Sequence, residues 1–208
     1  MDTFAAIADE RRGLADLMSG LTAAQQVVPS LCGSWRVHDV LAHLVMPLQV
    51  SLPRFALTMV ACRGDFDRAN ERLTRAQART PFADLVAILR READSRFTPP
   101  GSGPEAPLTD LLVHGSDIRR PLGLPSEVPP ERAAAALTFL TGRPGAAFVA
   151  RGATAGLRFE AADLEWSRGS GPVVRGPADA LLLALTGRQV AFVDLTGDGV
   201  STLRSRVT

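Results

Sequence analysis

The hydrophobic pattern of this 208-residue chain changes near Gly142-Arg-Pro-Gly145, and that change limits the folds open to it. Before it, apolar residues recur at helical spacing; after it, strand alternation first appears. Phe4, Ile7, Leu14 and Leu17 predict a helix from Phe4 to Met18, ending near Gly20. A loop with Pro29, Gly33 and Ser34 follows. The next helix starts near Arg36, with Val37, Val40, Leu41, Leu44 and Val45 on one face, and Pro47 and Pro53 kink or bound it. The polar stretch Asp65 to Arg79 reads as a solvent-facing helix. Thr80 and Pro81 read as an N-cap and a first-position proline, opening a helix with Phe82, Leu85, Val86 and Leu89 as its stripe. After the breaker-rich loop Thr98 to Pro104, helices are expected over Leu108–Arg120 and Pro129–Leu140.

Beyond Gly145, Leu157, Phe159 and Ala161 alternate with Arg158 and Glu160, as in a half-buried strand. Leu164 to Ser167 reads as its hairpin partner and Pro172 to Arg175 as a third strand, after the turn Gly169-Ser-Gly171. Ala178 to Leu185 is a short amphipathic helix, Gln189 to Leu195 a last strand, and Asp198 to Arg204 a last helical turn. The expected class is α+β: a helical bundle over residues 1–145, then a small α/β domain over residues 146–208.

Composition narrows function by exclusion. Lys+Arg 23 against Asp+Glu 22 leaves a formal charge of +1, with no basic patch for nucleic acid or an anionic membrane. No apolar run is long enough to span a bilayer, and the N-terminus lacks the basic and apolar regions of a secretory signal. Cys32 and Cys62 read as reduced thiols, so the expected location is cytoplasmic. There is no P-loop, no Gly-x-Gly-x-x-Gly after a strand, no Gly-x-Ser-x-Gly elbow and no Cys-x-x-Cys.

What remains is a histidine–carboxylate pattern. On the Leu108–Arg120 helix, Leu108, Leu111, Leu112 and Ile118 form one stripe, and Asp110, His114 and Asp117 fall within about 60° of each other on another face. A carboxylate and an imidazole at i, i+4 can converge on one cation. A solvated polar face has the same pattern. His43 falls at the edge of its helix's apolar stripe, where a packed boundary residue is the common case. His38 lies about 140° round the helix from His43, so one ion does not easily take both; it reads as exposed. Cys32, near Trp35, reads as a small buried residue that could line a pocket.

Two segments carry a family resemblance. Leu31-Cys-Gly-Ser-Trp-Arg-Val-His-Asp-Val-Leu-Ala-His43-Leu and Asp110-Leu-Leu-Val-His-Gly-Ser-Asp-Ile-Arg-Arg-Pro-Leu-Gly123 resemble the two metal-ligand motifs of the mycothiol-dependent maleylpyruvate isomerase family, within the DinB-like superfamily. The run Gly176 to Arg188, followed by Leu195-Thr-Gly-Asp-Gly199, resembles its C-terminal part more loosely. The resemblance implies a DinB-like metal-binding four-helix bundle followed by a small α/β C-terminal domain. It implies His43, Asp110 and His114 as ligands of a divalent ion, zinc first. Asp110 stands where the family usually has glutamate, one methylene longer, so its oxygen would sit about 1.5 Å further back on an unmoved backbone. Asp117 could substitute for it or hold His114.

The resemblance further implies an enzyme that uses mycothiol or another low-molecular-weight thiol. A thiolate activated on the ion would attack a small electrophilic, anionic substrate. An isomerase would let the adduct rotate and expel the thiol; an S-transferase would release the adduct. Arg119, Arg120 and Trp35 are the candidates for holding the thiol, and Arg188, reaching in from the C-terminal domain, and Asp117 for catalysis. The implied partners are a substrate and a thiol, with no nucleic acid and no membrane, in a monomer or homodimer. Two other readings stay open: a non-catalytic small-ligand or thiol-binding module with a degenerate metal site, and a metal-dependent hydrolase with Asp117 as general base.

Overall fold

The computed structural model describes residues 1–126 and 128–207. Ten α-helices and three short strands are found among them. Helix α1 spans Thr3–Ser19, opened by Asp2, whose carboxylate accepts from the Phe4 and Ala5 amides. It is followed by the single turn α2 (Ala23–Gln26), α3 (Val37–Gln49), α4 (Leu52–Ala61), α5 (Phe66–Gln77), α6 (Phe82–Arg91), α7 (Glu105–Arg119) and α8 (Pro130–Leu140).

Helices α1, α6, α3 and α7 close a ring, each packing on the next. Ile7, Leu14, Val40, Leu41, Leu85, Leu89, Leu108 and Leu112 fill its centre. Arg11, buried in α1, points its guanidinium at the Glu92, Ala93 and Ser95 carbonyls, where α6 ends and its last carbonyls need donors. Helix α5 packs outside α3, α4 against α5, and α8 outside α7. Only Ala69, Leu73 and Thr74 of α5 are buried, in keeping with its polar sequence.

The two prolines bound α3, as the sequence suggests. Helix α3 runs through Pro47 to Gln49, and Pro53 sits in the first turn of a separate helix, α4, bent 118° from α3. Pro47 deprives the His43 carbonyl of its helical donor and crowds it, and α3 ends two residues later. No single helix among the described residues is long and apolar enough to cross a membrane.

The strands come after the helices, as expected. β1 (Arg158–Ala161) lies between β2 (Ser167–Gly169), antiparallel to it, and β3 (Val173–Gly176), parallel to it. The three residues joining β2 to β3 therefore pass across the start of β1. A Cβ on Gly169 would lie 2.2 Å from the Leu157 carbonyl oxygen, and one on Gly171 2.2 Å from that of Gly156. Only glycine allows this crossing. Phe159 and Val174 turn inward beneath α9 (Ala178–Leu185), which also packs on α7 and α8. The hydrophobic core is continuous from bundle to sheet.

The segment Gln189–Asp194 is a 3-10 turn rather than a strand. Its two buried residues, Ala191 and Phe192, are consecutive, while Val190 and Val193 are exposed; that is not strand alternation. Helix α10 (Val200–Arg206) follows.

A candidate metal centre between α3 and α7

Helix α7 packs on α1, α3, α8 and α9, so nearly every residue from Ala106 to Ile118 is buried. Its polar face is therefore an internal one, and the solvated-face reading fails. Asp117 is 0 % exposed, and His114 and His43 are buried. Asp110 keeps 30 % of its side chain exposed, on the open side of the cluster.

His43, Asp110 and His114 converge, each offering one ligand atom, all within 4.8 Å of one another. Asp110 Oδ2 lies 3.5 Å from His43 Nε2, and its Oδ1 3.4 Å from His114 Nε2. Neighbouring ligands on a tetrahedral zinc ion, at its usual bond lengths, stand about 3.3 Å apart. The shorter aspartate thus reaches both imidazoles from the backbone of α7, and the donor set can hold a divalent ion. The two imidazoles stand edge to face, with ring centres 4.8 Å apart.

Each imidazole is held from behind. His114 Nδ1–H donates to Asp117 Oδ2 at 2.8 Å, which turns Nε2 towards the centre as the nitrogen a metal ion would take in place of a proton. His43 Nδ1 lies 3.4 Å from the buried Thr74 hydroxyl on α5. Asp117 in turn receives Arg188 Nε at 3.0 Å and its terminal nitrogen at 2.6 Å. Arg188 also donates to the Thr186 carbonyl.

Local backbone chemistry sets Arg188 there. Helix α9 ends in a Schellman motif: Gly187 N–H meets Ala184 O, Arg188 N–H meets Leu183 O, and Gly187 has φ +87°. The reversal turns Arg188 back towards α7.

Trp35 comes from the loop before α3. A turn closed by Trp35 N–H to Cys32 O, with Gly33 at φ +56°, shapes that loop, and Leu31 N–H donates to the Asp117 carbonyl of α7. The indole stands 5.1 Å from the His43 ring and 6.3 Å from that of His114. Behind it lies a cleft of about 130 Å³ lined by Ser34, Trp35, Asp39, Thr74 and Arg75.

Electrostatics follow from this geometry. Burial alone would raise the Asp110 pKa, but the two imidazoles hold its carboxyl well below the usual range. Burial alone would lower that of His114, but Asp110 and Asp117 raise it to about 9. Asp117, opposed by burial, is kept ionised by His114 and Arg188. Burial pushes the Cys32 thiol up to about 11 against the pull of Arg188.

Cys32, His114 and Asp117 form a second close group of donors. Both Asp117 oxygens are already taken by Arg188 and His114, so this group lacks a free carboxylate. The contacts of Asp117 are with His114 and Arg188, those of a residue that positions its neighbours. Neither motif arginine is brought to the triad by its contacts. Arg120 pairs with Asp179 and Asp194, joining α7 to the C-terminal segment, and Arg119 lies along Gly115 under the influence of Glu10. His38 is half-buried rather than exposed, its Nε2 3.2 Å from the Thr80 carbonyl and its ring edge-on to Phe82, away from the triad.

Thr74, a lone threonine in a polar helix, carries no sequence signal of its place here, and nothing local ties Arg188 to Asp117.

No curated protein and no solved structure matches the chain. Residues 7–98 match the model of the mycothiol maleylpyruvate isomerase N-terminal domain. The match runs from α1 past the end of α6; it includes Trp35, His43 and Thr74 and stops short of Asp110 and His114. Over that segment, somewhat less than half of its length, the chain is similar to the mycothiol maleylpyruvate isomerase N-terminal domain.

Proposed function

We propose that this protein is a metal-dependent enzyme that activates a small thiol, mycothiol or a close relative, for isomerisation or S-transfer on a small electrophilic anion. The observation that carries the reading is the convergence of His43, Asp110 and His114 on one point, with each imidazole turned by a partner on its far nitrogen. Three protein ligands leave an open position, the pattern of a catalytic rather than a structural site. A bound divalent ion would lower the pKa of a thiol on that side and supply a thiolate near neutral pH.

The residues of the chain would do the rest. Asp110, partly exposed, marks the side from which ligands enter. The Trp35 indole walls the centre against water and offers an apolar face to the thiol. Arg188 uses three of its five N–H donors on Asp117 and Thr186, leaving two for an anionic substrate group. The family name supplies the thiol; the site itself supports only a cation and a neighbouring ligand.

The test is metal content of protein purified without chelator or affinity-tag nickel, beside His114→Ala. About one equivalent of zinc in the wild type, lost in the variant, supports the centre. Thiol-dependent turnover of an unsaturated oxo-acid by the loaded protein then supports the reaction. Absence of metal after added zinc would overturn the reading and leave a binding module.

A further inference from the structure

Thr74 is the only polar residue that α5 buries; the other two buried positions are Ala69 and Leu73. A helical threonine ordinarily returns its hydroxyl to its own backbone or shows it to water. Here the side chain is 1 % exposed and its hydroxyl faces His43 Nδ1 at 3.4 Å.

Left to itself, the Asp110 carboxylate favours a proton on His43 Nε2, which lies 3.5 Å from it. That tautomer would turn an N–H at the centre and block a ligand bond. A hydroxyl that accepts a hydrogen bond from Nδ1–H favours the tautomer with the proton on that nitrogen, which frees the Nε2 lone pair. His114 receives the same service from Asp117, but from a charged group tied to Arg188.

We infer that Thr74 is a positioning residue of the metal centre: its hydroxyl selects the Nδ1–H tautomer of His43 and so readies Nε2 as a ligand. This rests on His43, Asp110 and His114 holding the ion. Helix α5 then has a role its sequence does not advertise: it packs on α3 and delivers one hydroxyl to the back of a ligand.

The experiment is zinc affinity, by competition with a chromophoric chelator, for the wild type, Thr74→Val, Thr74→Ser and His114→Ala. Metal-free thermal stability is measured alongside. Valine keeps the branched shape and deletes the hydroxyl; serine keeps the hydroxyl and deletes a methyl. The expected order is wild type near Thr74→Ser, with Thr74→Val weaker by about tenfold or more. A merely structural role gives the reverse, with serine the more damaged because it leaves a cavity. Nitrogen NMR of the histidine rings should show the Nδ1–H form of His43 in the wild type and its loss in Thr74→Val. Equal zinc affinity for Thr74→Val and wild type, with His114→Ala inactive in binding, would overturn the role of Thr74 and leave the centre standing. A wild type that binds no zinc would overturn both.

Discussion

Arg188, in the turn after α9, grips both carboxylate oxygens of Asp117 on α7, at 3.0 and 2.6 Å, across 71 positions of sequence. Asp117 passes that hold to His114. The C-terminal segment is thereby fastened to the candidate centre through two buried charges.

Breaking this pair should be costly because it strands a charge where water cannot reach. Arg188→Leu leaves Asp117 fully buried and half-paired, and should lower stability by about 3–5 kcal/mol in urea unfolding. Adding Asp117→Leu should recover part of that loss, since no uncompensated charge remains. Additive losses in the double variant would show that the two side chains do not act as a pair.

Two glycines should respond to alanine with opposite signs. Gly187 sits at φ +87°, where alanine costs about 1 kcal/mol, and nothing nearer than the Val207 carbonyl at 3.7 Å would crowd the new methyl. Gly13 is exposed within α1 with open space round it, so Gly13→Ala should stabilise by about 0.5–1 kcal/mol. Urea midpoints read both. Gly187→Ala should also weaken zinc binding, because the turn it strains aims Arg188, whereas Gly13→Ala should not.

Much of this arrangement was legible in the sequence because it is local. Helical period marks α1, α3, α7 and α8, and the i, i+4 spacing places Asp110 beside His114 whatever the tertiary fold. What escapes notice depends on packing between distant segments. A polar stripe on α7 looks the same whether solvent or four other helices face it, so the burial of Asp117 was not readable. Pro47 and Pro53 mark the end of α3, but nothing in them gives the 118° turn into α4. The Gln189–Leu195 segment has strand composition, but its consecutive buried residues follow the turn that brings Arg188 back to α7.

Metal-free protein should lose stability in mild alkali. His114 has a folded pKa raised to about 9, above its ordinary value of 6.5, so the folded state holds its proton more tightly than the unfolded state. That contribution is fully present below about pH 6.5 and disappears as pH rises through about 9. Thermal unfolding between those limits should show a falling midpoint in the wild type and a flatter profile in His114→Gln. A wild-type midpoint that holds constant over that range would place the proton elsewhere.

Asp110 stands where the resemblance leads one to expect glutamate. The aspartate oxygens already stand 3.5 and 3.4 Å from the two imidazole nitrogens, close to the spacing of ligands around a tetrahedral zinc ion. Glutamate would carry the carboxylate about 1.5 Å further into a cluster that is already within bonding reach. Asp110→Glu should therefore not tighten zinc binding. Asp110→Asn keeps the shape but removes the anionic ligand that would draw in a cation, so it should weaken zinc at least tenfold. Chelator competition separates the two variants. Tighter binding by Asp110→Glu would show that the aspartate falls short of the ion and that α7 must shift to close the centre.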